Sequence, residues 1–215
     1  SLIKENINVN FVSAVGNDDF ANYLMNQLRK NNISDKFLLK TPGTSGVSVA
    51  ISNKSGNYSA VVISGANLEI SEKILSDDNL WKNCSFLMIQ NEIKEKINIR
   101  AAMEAKKRNI RVFLNAAPAK KINDELFNLV DILLVNEIES QQLLDTKSTD
   151  FKRLAEELSN YVSRIIITLG DKGVVYFEKN KKVDHINEHS VDVKSEHGAV
   201  DYFAGKFISN FIETN

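Results

Sequence analysis

Asp131-Ile132-Leu133-Leu134-Val135-Asn136-Glu137-Ile138-Glu139 is the stretch on which the fold turns. Residues 131–135 read as a short strand rich in Ile, Leu and Val. Asn136 then stands at the start of a helical turn with acids close behind it, as capping and the helix dipole favour. Downstream, Phe151, Leu154, Ala155, Leu158 and Val162 mark a helix with one apolar stripe. Arg164–Thr168 follows with three consecutive isoleucines, the sign of a strand buried on both faces. Strand, helix and strand in that order predict a parallel sheet covered by helices.

The rhythm extends outward from this unit. Arg111–Asn115 contains Val112-Phe113-Leu114, a short buried strand, and residues 9–15 form an early one. Asp18 and Asp19 stand where helix N-terminal carboxylates belong, and Phe20, Leu24 and Leu28 follow at helical spacing. Residues 174–177 read as a strand. From Gly198 another helix starts, with Phe203, Phe207, Ile208 and Phe211 on related faces. One stretch breaks the alternation: residues 46–51 and 59–63 read as two strands around the polar turn Asn53-Lys54-Ser55-Gly56-Asn57, with no helix between them. We read residues 44–66 as a β-flap standing off the main sheet; an antiparallel edge of that sheet is the alternative that spacing leaves open.

Composition narrows the class. A chain of 215 residues suits one medium-sized domain, and 43% hydrophobic residues supply a full core. The 27 Lys and Arg against 28 Asp and Glu give no basic field for nucleic acid and no polybasic membrane patch. The single cysteine, Cys84, allows no internal disulfide and no zinc spacing. Beside Phe86, Leu87 and Met88 it is expected to pack in the interior. No apolar run reaches the roughly 18 residues that span a bilayer, and residues 1–10 lack the order of a signal peptide. The expectation is a soluble, cytoplasmic chain.

Three segments follow expected strands, and in an open α/β sheet ligands bind beyond the carboxyl ends of the strands. In Asn136-Glu137-Ile138-Glu139, Asn136 and Glu139 share a face of the first helical turn. That amide and carboxylate suit Mg²⁺ held through water, or the orientation of a phosphate; a plain capped helix explains them too. In Thr168-Leu169-Gly170-Asp171-Lys172-Gly173 the glycines let backbone approach a ligand closely, although a simple turn explains them as well. In Gly198-Ala199-Val200-Asp201, small residues at a helix start leave amide N–H groups pointing outward as an anion site. The acid suits a general base acting on an incoming hydroxyl. A capped helix start is again the alternative.

These segments together resemble the PfkB family of carbohydrate kinases. Asn136-Glu137-Ile138-Glu139 is similar to the family's Asn-x-x-Glu, and Gly198-Ala199-Val200-Asp201 to its Gly-Ala-Gly-Asp anion hole and catalytic acid. Val15-Gly16-Asn17-Asp18-Asp19-Phe20 resembles Val-Gly-Asp-Asp-x-Phe, and residues 168–173 resemble the Thr-Leu-Gly-x-x-Gly nucleotide loop. Ser45-Gly46-Val47 through Gly65-Ala66-Asn67, and Leu114-Asn115-Ala116-Ala117-Pro118-Ala119, point to the ribokinase-like branch. The resemblance covers nearly all of the chain in the right order. It implies a three-layer α/β/α fold with a mostly parallel sheet and a small β-flap.

The resemblance also implies a mechanism with ATP and Mg²⁺. Asp201 would accept the proton of a sugar hydroxyl, most readily ribose, as it attacks the γ-phosphate, and the amides of Gly198, Ala199 and Val200 would stabilise the transferred group. Asn136 and Glu139 would position Mg²⁺ and phosphate, with Glu139 on the metal; Thr168, Gly170 and Gly173 would lie along the nucleotide. Glu92 in Gln90-Asn91-Glu92 resembles a sugar-binding Glu, and a slip of one residue would put Asn91 there instead. Family flaps close over the sugar and pair two subunits, which implies a homodimer. Against that pattern, Ser195, Glu196 and His197 stand where Asp-Thr-Thr is usual, Val200 replaces a Gly, and Tyr202 follows the acid. The change at Ser195 removes the Asp of a monovalent-cation site. The family's Gly-rich sugar motif would precede Ser1 and its adenine-pocket helices would follow Asn215. A fold kept for binding or assembly without catalysis is the rival expectation.

Overall fold

A computed structural model describes residue 2 and residues 7–52, 58–181, 183–187 and 198–214. Strand β1 (Ser13–Val15) leads into helix α1 (Asp19–Lys30), whose N-cap Asp18 accepts a hydrogen bond from the Ala21 N–H. The early strand is thus shorter than residues 9–15; Asn10 makes only an isolated bridge to Ser34. β1 pairs in parallel with β2 (Leu38–Lys40), apart from the central sheet. Helix α1 also turns a different face inward than its apolar spacing predicts. Ala21 and Met25 are buried, whereas Phe20 and Leu24 are exposed at 57% and 39%. Helical spacing identifies the helix, but small Ala21 allows the closer approach to β1, so the face one residue round is the one that packs.

The hairpin of β3 (Val47–Ser52) and β4 (Tyr58–Ile63) forms a two-stranded sheet of its own, in register from Val47↔Ile63 to Ser52↔Tyr58. The flap reading therefore holds over the antiparallel-edge alternative; the turn Asn53–Asn57 lies outside the described residues. Ser45 anchors the flap's base. Its Oγ accepts from the Gly16 N–H at 3.0 Å and donates to Asp18 Oδ1 at 2.7 Å, while its N–H donates to Asp18 Oδ2. These bonds from Ser45 hold the Asp18 carboxyl below its usual pKa. Gly16 is required there: a Cβ would lie 2.3 Å from the Gly43 carbonyl oxygen.

After α2 (Asp78–Trp81), the chain alternates β5 (Phe86–Gln90), α3 (Glu95–Lys107), β6 (Arg111–Asn115), α4 (Asp124–Phe127) and β7 (Ile132–Asn136). Then come α5 (Glu137–Leu143), α6 (Phe151–Leu158), β8 (Arg164–Thr168), β9 (Val174–Glu178), β10 (Asp184–Ile186) and α7 (Ala199–Thr214). The six-stranded sheet runs β10-β9-β8-β7-β6-β5, parallel from β5 to β8 and antiparallel at β9 and β10. Alternate residues of the buried strands supply two cores. Leu114, Leu133, Ile165 and Ile167 pack with Ala101, Leu126 and Leu154 of the helices on one face. Phe113, Ile132, Leu134 and Ile166 pack with Ala204 and Ile208 of α7 on the other. Cys84 is half-buried against the first core, as expected of a packing cysteine. Among the described residues no helix is long and apolar enough to cross a membrane.

Candidate active site

Each of the four parallel strands ends its apolar run on a polar residue: Gln90, Asn115, Asn136 and Thr168. Gln90 is in register with Asn115, and Asn136 with Thr168. The residues two earlier, Met88, Phe113, Leu134 and Ile166, belong to the core beneath α7. The strand pleat therefore aims the polar row at the same side, where α7 begins. Gln90, Glu92, Asn115 and Ala117 line one part of a cleft of about 190 Å³, and Asn136, Glu139, Gly198, Val200 and Asp201 line the rest. Segments far apart in sequence are thus brought to the carboxyl edge of one sheet.

Asn136 and Glu139 form a capping box at the start of α5. Asn136 Oδ1 accepts from the Glu139 N–H at 2.7 Å, and Glu139 Oε2 accepts from the Asn136 N–H at 2.8 Å. The helix-cap explanation of this motif is therefore correct as far as it goes, and both residues also face the cleft. Burial pushes the Glu139 carboxyl above its usual pKa, with the Asn136 N–H pulling partly the other way. No group of three His, Cys, Asp or Glu side chains suited to a metal occurs among the described residues. One carboxylate with amide oxygens nearby fits Mg²⁺ that keeps most of its waters and takes further ligands from phosphates, and does not fit an all-protein cage.

Gly198 takes the left-handed backbone conformation at φ 77°, and its carbonyl accepts the Tyr202 N–H at 2.9 Å, closing the first turn of α7. The amides of Ala199, Val200 and Asp201 have no carbonyl one turn back among the described residues, and they sit at the positive end of a 16-residue helix. Exposed Asp201 accepts from Gln90 Nε2 at 3.4 Å across the cleft. Val200 lies within the helix, and the left-handed backbone position before it falls on Gly198. Val200 is 39% exposed and lines the cleft. Ser195, Glu196 and His197 lie outside the described residues.

Asn91 and Glu92 are placed differently. Asn91 is buried, and its Nδ2 donates to the Ala116 and Pro118 carbonyls at 3.1 Å each, holding the following loop. Glu92 is exposed and lines the cleft. Ala199, Thr168, Gly170 and Gly173 do not line it. Thr168 Oγ1 donates to the Val135 carbonyl at 3.5 Å. Gly170 and Gly173 take positive φ of 61° and 89° around a single 3-10 turn, which by itself calls for glycine. Sequence reasoning gave no role to Gln90, Asn115 or Ala117. The signal that finds the first two is the polar residue closing each apolar strand.

The comparisons agree with this geometry. A model of the pfkB family of carbohydrate kinases matches residues 2–215. The ribokinase of Lactococcus lactis is 31% identical over 210 residues, 95% of this chain and 66% of that protein. Among solved structures, the ribokinase of Thermotoga maritima has a TM-score of 0.81 at 28% identity, over 99% of this chain and 72% of the other. The ribokinase of Arabidopsis thaliana, complexed with ribose and ATP, has a TM-score of 0.84 at 24% identity, over 94% and 69%. This chain belongs to the pfkB family of carbohydrate kinases. It spans about two thirds of the length of the Lactococcus lactis relative.

Proposed function

We propose that the protein transfers the γ-phosphate of ATP to a hydroxyl of a small sugar, ribose or one close to it. The observation that supports this most is Asp201 at the amide end of α7, sharing one cleft with Asn136 and Glu139. A sugar hydroxyl beside Asp201 gives its proton to the carboxylate as its oxygen bonds to the γ-phosphorus, and the bond to the β-phosphate oxygen breaks to release ADP. The α7 amides hold the charge on the transferred group. Glu92 hydrogen-bonds the sugar, and Thr168, Gly170 and Gly173 border the nucleotide beyond the sheet edge. Asn136 and Glu139 would hold Mg²⁺ through its waters, and the ion would supply charge neutralisation for the phosphates. The setting is cytoplasmic. The test is ADP release by the purified protein with ATP, Mg²⁺ and a panel of ribose, deoxyribose, hexoses and nucleosides. Release that requires one of these sugars supports the reading, and release indifferent to all of them sinks it.

Val200 favours a second reading, in which the fold is kept for binding or assembly, because its side chain stands at the amide end where phosphate must come close. Val200→Gly should therefore raise kcat or tighten ATP binding, despite Gly's cost of about 1 kcal/mol in a helix. A variant with a lower melting temperature and no kinetic gain would show that Val200 leaves the amides accessible.

The flap suits a homodimer interface. Val49, Ile51, Val61 and Ile63 are all exposed on one face of its two strands, an apolar face of the kind that pairing covers. Val49 and Val61 are register partners, so charges placed there meet each other as well as the second subunit. Asp at both positions should convert a dimer to monomer in sedimentation. A parent already monomeric at micromolar concentration would end the dimer proposal.

A further inference from the structure

Asp201 stands on the exposed first turn of α7, where water leaves a carboxylate several rotamers. Gln90 narrows them. Its Nε2 donates to Asp201 Oδ1 at 3.4 Å across the cleft that both residues line. An ionised carboxylate only accepts, so the nitrogen end of the Gln90 amide is the end turned to it. The contact is long, as hydrogen bonds at a reacting group often are before substrate tightens them. Gln90 itself is carried by a fixed segment. It closes β5 in register with Asn115. Its carbonyl accepts from Nδ2 of the buried Asn98 on α3 at 2.7 Å. Beside it, the buried Asn91 donates through its N–H to the Ala117 carbonyl at 3.0 Å, and through Nδ2 to the Ala116 and Pro118 carbonyls. The main chain at Gln90 is therefore tied to α3 on one side and to the loop after β6 on the other, while Asp201 belongs to a surface turn.

A donor on a fixed strand end that meets an acceptor on an exposed turn orients that acceptor. We infer that Gln90 is a positioning residue for the proposed base: by donating to Oδ1 it selects one rotamer of Asp201 and leaves Oδ2 as the oxygen that takes the sugar proton. That proton passes from the hydroxyl to Oδ2 as the hydroxyl oxygen bonds to phosphorus, and Gln90 gives up no proton of its own. The inference rests on the kinase reading. Direct binding of the sugar is the competing role for Gln90, since it lines the cleft.

Two readouts test it. The first is steady-state kinetics at neutral pH with ATP, Mg²⁺ and whichever of ribose, deoxyribose, hexoses or nucleosides supports ADP release. Gln90→Met keeps the length and removes the donor. It should lower kcat about 10–100-fold, the usual loss when a reacting group is misplaced, and leave the sugar KM unchanged. Gln90→Glu keeps the shape but offers the carboxylate no donor, and should lose at least as much. The second readout needs no turnover. In nuclear magnetic resonance of the free protein, the side-chain NH₂ signals of Gln90, identified by their loss in Gln90→Met, should move between the parent and Asp201→Asn. A kcat within about 2-fold of the parent in both Gln90 variants, a loss confined to the sugar KM, or unmoved Gln90 signals overturns the inference while the kinase reading stands. A parent that releases no ADP with any of these sugars overturns the proposed function and this inference together.

Discussion

Asp201→Asn should lower kcat about 10²–10⁴-fold at saturating sugar and ATP, the usual worth of general-base assistance. The substitution keeps the shape and an oxygen that can still accept from Gln90 Nε2, so the 3.4 Å contact across the cleft is retained. What is lost is the ability to take a proton. Asp201 is exposed in the first turn of α7, so the melting temperature should barely move. KM for the sugar should change little, because the loss falls on the transition state. Steady-state kinetics of parent and variant check this. A kcat within a few-fold of the parent would remove Asp201 from the reaction, and an unfolded variant would show that the residue is structural.

Phe113→Ala should cost about 3–5 kcal/mol of stability, the range for truncating a buried aromatic. Phe113 is fully buried at the centre of β6, and its ring lies 6.1 Å from that of Phe207 on α7. Ile132, Leu134, Ile166, Ala204 and Ile208 complete the core that seats α7 on the sheet. A domain is typically stable by about 5–15 kcal/mol, so this change removes a large share. It also loosens the helix that bears Asp201, linking core packing to the site. Phe20→Ala, on the exposed face of α1, is the control and should stay within about 0.5 kcal/mol. Urea unfolding measures both. A Phe113→Ala cost under about 1 kcal/mol would mean that α7 does not depend on this core.

The strands buried on both faces were the most legible parts of the chain. Arg111–Asn115 and Arg164–Thr168 have the bounds their continuous apolar runs indicate, because each apolar residue, Val112 to Leu114 and Ile165 to Ile167, faces one core or the other. The run before Asn136 shifts by one residue, since Asn136 both ends β7 and caps α5. Short or one-sided elements were harder. Residues 9–15 shrink to Ser13–Val15, paired outside the main sheet, and α1 buries the face beside the one its large apolar residues mark. Spacing establishes that a helix forms, but its inward face depends on what it meets.

The site was legible as segments and not as a surface. Asn136, Glu139, Gly198, Val200, Asp201 and Glu92 converge on one cleft, while Thr168 at the end of β8 and Gly170 and Gly173 around the following turn do not line it. Whether Asn91 or Glu92 faces the cleft depends on how the chain leaves β5, which no motif encodes. Gln90 and Asn115 were invisible as single letters. They become visible once the strands align and every apolar run is seen to end on a polar side chain.

The central claim is phosphoryl transfer to a sugar at this cleft. Its most direct test is product analysis by mass spectrometry after incubating the protein, expressed from its whole gene, with ATP, Mg²⁺ and ribose. The account predicts a sugar phosphate and ADP in equal amounts, both abolished to within detection in Asp201→Asn. ADP without sugar phosphate, or equal product from parent and variant, would contradict it.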